Sequence, residues 1–96
     1  MPQEMVINYL FRKIAGEFPK KTCLQIEKDG IWEKYTYGRV EELSRRAAAF
    51  LMNEGIGKGD FVILMLNNCP EWAISYLGIL HSGACVVPVD AKIRLI

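Results

Sequence analysis

Residues 61–89 read FVILMLNNCPEWAISYLGILHSGACVVPV, and the reading of this stretch decides the fold class. Phe61-Val62-Ile63-Leu64-Met65-Leu66 is a continuous apolar run without polar alternation. A short run of that kind, bounded by turn residues, suits a strand covered on both faces, as in parallel sheets. Asn67-Asn68-Cys69 ends the run, and Pro70 then fits the first position of a helix, where its missing N–H is no loss. Glu71 favours the positive end of that helix's dipole. The helix runs to about Ser82 and is closed by Gly83; Ala84–Val89 follows as a second apolar strand, with Pro88 near its end. Strand, helix and strand in about thirty residues make a βαβ unit, which joins parallel strands by a right-handed crossover.

Upstream, the period changes. From Gly38 to Glu54, Val40, Leu43, Ala47, Phe50 and Leu51 fall on one helical face, while Arg39, Glu42, Arg45, Arg46 and Glu54 mostly avoid it. Gly55 supplies a left-handed cap for this amphipathic helix. Before it, Thr22–Lys28 and Ile31–Tyr37 alternate as strands do, with Asp29-Gly30 between them. Asp-Gly provides the positive φ angles that a two-residue hairpin turn requires. Met5 to Phe18 places Val6, Tyr9, Leu10, Phe11, Ile14 and Phe18 at helical spacing, and Pro19 stops the pattern.

The expected architecture is α/β: an N-terminal helix, an antiparallel β-hairpin, an amphipathic helix and a right-handed βαβ unit. No internal repeat, low-complexity segment or linker divides the chain, so residues 1–96 are read as one unit. The helix from Pro70 is apolar nearly all round, with Trp72, Ala73, Ile74, Tyr76, Leu77, Ile79 and Leu80. Such a helix calls for cover on more than one side. The chain ends just after a strand that belongs inside a sheet, with apolar residues at Ile93–Ile96, so the pattern is that of a truncated subdomain of something larger.

Composition narrows the function classes. At 51% hydrophobic and 24% charged, the chain has the balance of a globular protein rather than a disordered tail. The net charge is +1, and the basic residues occur at most in pairs, such as Lys20-Lys21 and Arg45-Arg46, so no nucleic-acid footprint is present. The longest apolar run is far too short for a membrane span. Cys23, Cys69 and Cys85 are odd in number and lack paired spacing. They read as reduced thiols, which together with the absence of a secretory apolar segment implies a cytoplasmic protein.

Each candidate for chemistry has a plainer reading that fits better. Gly55-Ile56-Gly57-Lys58-Gly59-Asp60 resembles a phosphate loop but follows a helix and opens a strand, and Asp60 would repel phosphate. Its glycines serve turn geometry. Cys69 sits at a helix N-terminus, where a thiol can be activated, but has neither a C-x-x-C partner nor a nearby histidine in sequence. His81, the sole histidine, suits a surface or helix-end position; one histidine builds neither a triad nor a metal site. Glu41, Glu42 and Glu71 read as exposed helix residues, and Trp32, Tyr35, Tyr37, Trp72 and Tyr76 as packing residues. No catalytic, cofactor-binding or metal-ligating residue is assigned.

Order and spacing carry the remaining information. Thr36-Tyr37-Gly38 precedes a helix with Leu43, Ala47-Ala48-Ala49 and Leu51; Gly55–Asp60 opens an apolar strand. Then come Asn67-Asn68-Cys69-Pro70-Glu71-Trp72, Gly78-Ile79-Leu80, Gly83-Ala84 and Val87-Pro88-Val89-Asp90. From about Tyr9 to Lys92 this succession resembles the N-terminal section of the AMP-binding, acyl-adenylate-forming superfamily. Pro70-Glu71-Trp72 and Pro88-Val89-Asp90-Ala91-Lys92 look most like acyl-CoA synthetases of the fatty-acid type.

The resemblance implies a parent that activates a carboxylic acid with ATP and magnesium and passes the acyl group to a thiol, usually coenzyme A. It also implies that the family's phosphate loop, adenine and magnesium contacts, acyl pocket and catalytic lysine lie beyond these residues. No cofactor is therefore expected for this segment, which would be inactive alone. Two other readings compete with it. One is a self-associating or interaction module, in which another copy covers the open sheet edge and the apolar helix. The other is a small Rossmann-like nucleotide binder, which needs a glycine-rich turn after Leu66 where Asn67-Asn68-Cys69-Pro70 stands.

Overall fold

The computed structural model describes residues 3–67 and 69–90. Asn68, and the Ala91-Lys92 and 93–96 features of the C-terminal motif, lie outside these. Among the described residues the order is α1 (Gln3–Glu17), β1 (Thr22–Lys28), β2 (Ile31–Thr36), α2 (Tyr37–Asn53), β3 (Phe61–Leu64), α3 (Pro70–His81) and β4 (Cys85–Pro88). This is the mixed α/β arrangement that the sequence pattern implies. β1 and β2 form an antiparallel hairpin, and β3 and β4 form a separate parallel pair.

The turns follow from their residues. Asp29 (φ 53°) and Gly30 (φ 79°) both adopt positive φ between β1 and β2, the requirement of a two-residue hairpin whose twist matches its strands. The ladder runs from Lys28↔Ile31 to Thr22↔Thr36, with an irregularity between Thr22 and Leu24. β2 passes directly into α2 because Thr36 is its N-cap: Arg39 N donates to Thr36 Oγ1 at 3.1 Å. At the other end, Gly55 takes φ 86°. Gly55 N donates to Met52 O and Ile56 N donates to Leu51 O, each at 3.0 Å. This bond pair is a Schellman closure, and its Leu51 and Ile56 side chains both pack on the core.

α2 keeps Val40 of its expected stripe buried and Leu43, Ala47 and Leu51 half-buried, but burial is shifted toward Ser44 and Ala48 and away from Phe50. Val40, Ser44 and Ala48 are its buried residues, while Phe50 is 64% exposed. The cause is the close approach of α3. A Cβ on Gly78 would lie 2.7 Å from Ala47 Cβ and 3.1 Å from Ser44 O, so only small side chains fit along this seam. Ser44 is tolerated inside because its Oγ donates to Glu41 O at 2.9 Å.

The parallel pair runs from Phe61↔Cys85 to Leu64↔Pro88. Val89 N donating to Leu64 O at 2.9 Å extends it. Leu64, Ile79 and Ala84 form the core, flanked by Leu51, Ile56, Val62, Trp72, Tyr76 and Val86. Here the expectation of a strand covered on both faces is corrected. Val62 and Leu64 turn toward this core, but Phe61 (74%) and Ile63 (67%) are exposed on the opposite face. The described residues supply helices to one side of this sheet only. The all-round apolar helix, by contrast, finds cover: α3 packs against α2, α1, β1, β3 and β4.

Candidate functional site

Where α1, α2 and α3 meet, the described residues bring together two largely buried side chains, His81 and Glu41, and two exposed guanidiniums, Arg12 and Arg45. His81, in the last turn of α3, has a side chain only 5% exposed, and Glu41 of α2 is 13% exposed. His81 Nε2 is 3.5 Å from Glu41 Oε2, within ion-pair reach but without hydrogen-bond geometry. Arg12 of α1 brings Nη2 to 3.5 Å from His81 Nδ1 and Nε to 4.0 Å from Glu41 Oε1. Arg45 Nε donates to Glu41 Oε1 at 2.7 Å. One turn before Arg12, Asn8 also buries an unpaired Oδ1.

His81 takes the helix-end position expected of it, in the last turn of α3, but buried rather than at the surface; Glu41, read as an exposed helix residue, is corrected to a largely buried one. The α2–α3 seam is tight enough to draw both side chains under α1. Burial pushes the His81 imidazole below its ordinary value of 6.5; Glu41 opposes this shift, while Arg12 and Arg45 add to it. Part of the cluster was open to sequence reasoning. Glu41 and Arg45 stand four apart, and His81 is the polar exception on an apolar helix. The pairing across helices had no local signal.

The other candidates fall into structural positions. Gly55–Asp60 joins α2 to β3, with Gly59 at φ 93° and Gly57 N donating to Asp60 Oδ2 at 2.8 Å. The loop amides thus bind a carboxylate of the loop itself. Cys69 is the N-cap residue of α3 but its side chain makes no cap bond. It lines an open cleft of about 320 Å³ with Leu24, Ile26, Pro70 and Trp72. All three cysteines are free, and burial pushes the Cys23 thiol up, away from activation. Glu71 is exposed and held below its ordinary value mainly by its own backbone N–H and then by the Cys69 side chain. Trp72 stacks on Tyr76 at 5.2 Å, and Tyr37 meets Phe11 at 5.9 Å. Trp32 departs from its expected packing role: it is 55% exposed on the hairpin.

The profile of the AMP-binding enzyme family matches residues 11–95. The chain belongs to the AMP-binding enzyme family. Among curated AMP-binding relatives, it is 49% identical over 83 residues to 4-coumarate–CoA ligase 3 of Oryza sativa subsp. japonica, covering 86% of this chain and 14% of that one. It is 34% identical over 88 residues to the crotonobetaine/carnitine–CoA ligase of Salmonella typhimurium, covering 91% and 17%. The solved N-terminal subdomain of Klebsiella oxytoca NpsA superposes with a TM-score of 0.83 at 30% identity, over 92% of this chain and 22% of that one. The chain thus corresponds to the N-terminal part of AMP-binding ligases and spans under a fifth of the curated relatives' length.

AMP-binding ligases use ATP and coenzyme A, and the residues at hand can be tested against such groups. No three His, Cys, Asp or Glu side chains converge on a metal position among the described residues. The glycine-rich loop is closed by its own Asp60. The cleft beside Cys69 is lined by apolar side chains and Gln25, without a cation to meet phosphate. These residues do not fit a nucleotide–magnesium or coenzyme A site.

Proposed function

We propose that residues 1–96 form a single subdomain that serves as the N-terminal structural portion of an ATP-dependent acid–thiol ligase and is inactive by itself. The observation that carries this reading is the match of the AMP-binding profile over nearly the whole chain, residues 11–95. Both relatives described above are CoA ligases, which supports an acid–CoA ligase as the parent activity. There ATP, magnesium and coenzyme A would act on residues outside this segment. The free, widely spaced thiols support a reducing, cytoplasmic setting. Among the described residues no helix is long and apolar enough to cross a membrane, and no basic patch favours a nucleic-acid partner.

ATP–pyrophosphate exchange tests the reading directly. The pure chain is expected to give no exchange above blank with aryl, carnitine-type or fatty carboxylates. Carboxylate-dependent exchange would overturn it.

A second reading has its own observation. Phe61 and Ile63 on one sheet face and Phe50 on neighbouring α2 are all more than 60% exposed, and exposed apolar surface of this kind favours association. A self-associating module would cover them with a second copy. Light scattering over a concentration series separates the readings: a concentration-independent monomer removes the second.

A further inference from the structure

At the junction of α1, α2 and α3 the His81 ring stands between the Arg12 guanidinium on its Nδ1 side and the Glu41 carboxylate on its Nε2 side. Arginine has donors only, so the Nδ1 that faces Arg12 Nη2 at 3.5 Å must present its lone pair. The neutral ring then carries its proton on Nε2, toward Glu41 Oε2. A second proton could enter only at Nδ1. There it would set an N–H against the Arg12 guanidinium, donor against donor and cation against cation.

We propose that His81 is a proton-operated latch for α1: neutral, its Nδ1 accepts from Arg12 and holds α1 on the α2–α3 body; protonated, it expels Arg12 and loosens α1. The charged groups facing the ring are Arg12 from α1 and Glu41 and Arg45 from α2. Glu41 favours the imidazolium through Oε2, which lies 3.5 Å from Nε2 without hydrogen-bond geometry. Burial of the ring and the two guanidiniums outweigh the single carboxylate, so the docked ring resists protonation. Undocking of α1 admits water and removes Arg12 while Glu41 stays in place, so the undocked form binds the proton more tightly. By linkage, docking of α1 is at full strength above the ordinary histidine value of 6.5 and is lost as pH falls below it.

Because His81 is the sole histidine, its ring resonance can be followed in the whole chain without ambiguity. Amide hydrogen exchange of α1 and α2 is measured alongside it, between about pH 8 and about pH 5. The α1 amides are expected to lose protection in step with His81 protonation, while those of α2 hold theirs. Arg12→Gln, at a side chain already 55% exposed, is expected to move the His81 titration upward and uncouple α1 from it. His81→Asn keeps an acceptor without the proton and is expected to make α1 protection independent of pH. The proposal is overturned if α1 and α2 lose protection together, if Arg12→Gln titrates like the parent, or if His81→Asn retains the pH response.

Discussion

The α2–α3 seam, built from small residues, and the outer face of β3, built from large apolar ones, end in opposite environments. Along the seam the residues are Ser44, Ala47, Ala48 and Gly78, small enough for the two helix backbones to meet. On the outer face they are Phe61 and Ile63, large and open to solvent. Small residues bury little area each but let many atoms approach, so the seam is closed by packing. Large residues on an uncovered sheet face gain nothing from their size until something lies over them. The core of Leu64, Ile79 and Ala84 is apolar throughout, but hydrophobicity alone does not say which apolar residues enter it; side-chain size governs the α2–α3 seam, and cover governs the faces of β3.

Neighbouring residues on β3 give the sharpest contrast. Leu64 is 6% exposed and belongs to the core, whereas Ile63 is 67% exposed. Leu64→Ala removes packed atoms and leaves a cavity, so a loss of about 2–5 kcal/mol is expected. Ile63→Ala should stay within about 0.5 kcal/mol. Urea unfolding of the two variants measures both. Equal losses would mean that the outer face is covered after all.

The seam is broken next. Gly78→Ala adds a Cβ that would lie 2.7 Å from Ala47 Cβ, and the opposing atoms include the Ser44 carbonyl, which cannot swing aside. Overpacking of this kind costs about 1–3 kcal/mol. Gly16→Ala in α1 is its control, since nothing lies within 4 Å of the added carbon. There helix propensity alone acts, and the variant should gain up to about 1 kcal/mol. If Gly78→Ala also stabilises, the helices do not meet as closely as described, and the midpoint of the urea transition will show it.

Much of this fold was legible because local chemistry dictates it. Asp29-Gly30 announces its turn, Pro70 its helix start, and Gly55 its helix end, each through backbone preferences that act within a few residues. What misled was long-range. Phe50 satisfies the apolar period of α2 yet lies off the seam, and Ser44 breaks that period yet is buried, because Gly78, far away in sequence, sets how near α3 can come. The polar cluster escaped for the same reason. Glu41 with Arg45, and His81 as the polar residue of an apolar helix, were visible one helix at a time, but their meeting across α1, α2 and α3 was not. The AMP-binding resemblance was legible as a succession of turns and strands, features of scaffold that carry family membership without carrying chemistry.

The smallest effect on stability decides the most about the outer face. Phe61→Lys with Ile63→Lys places two charges where the described structure is open to solvent, so each change should stay within about 0.5 kcal/mol. Any larger consequence must come from a partner. If a second copy covers this face, the parent chain gains mass with concentration in light scattering, and the double variant stays monomeric, because the buried charges would be unpaired. If parent and variant have the same mass at every concentration, the second copy is excluded. The exposed Phe61 and Ile63 then fit the reading in which this chain is the N-terminal portion of an AMP-binding ligase, whose remaining residues would cover the face. That reading adds its own demand: in a ligase containing this segment, the same double substitution should destabilise far more than in the isolated chain, because there the charges would enter a covered sheet.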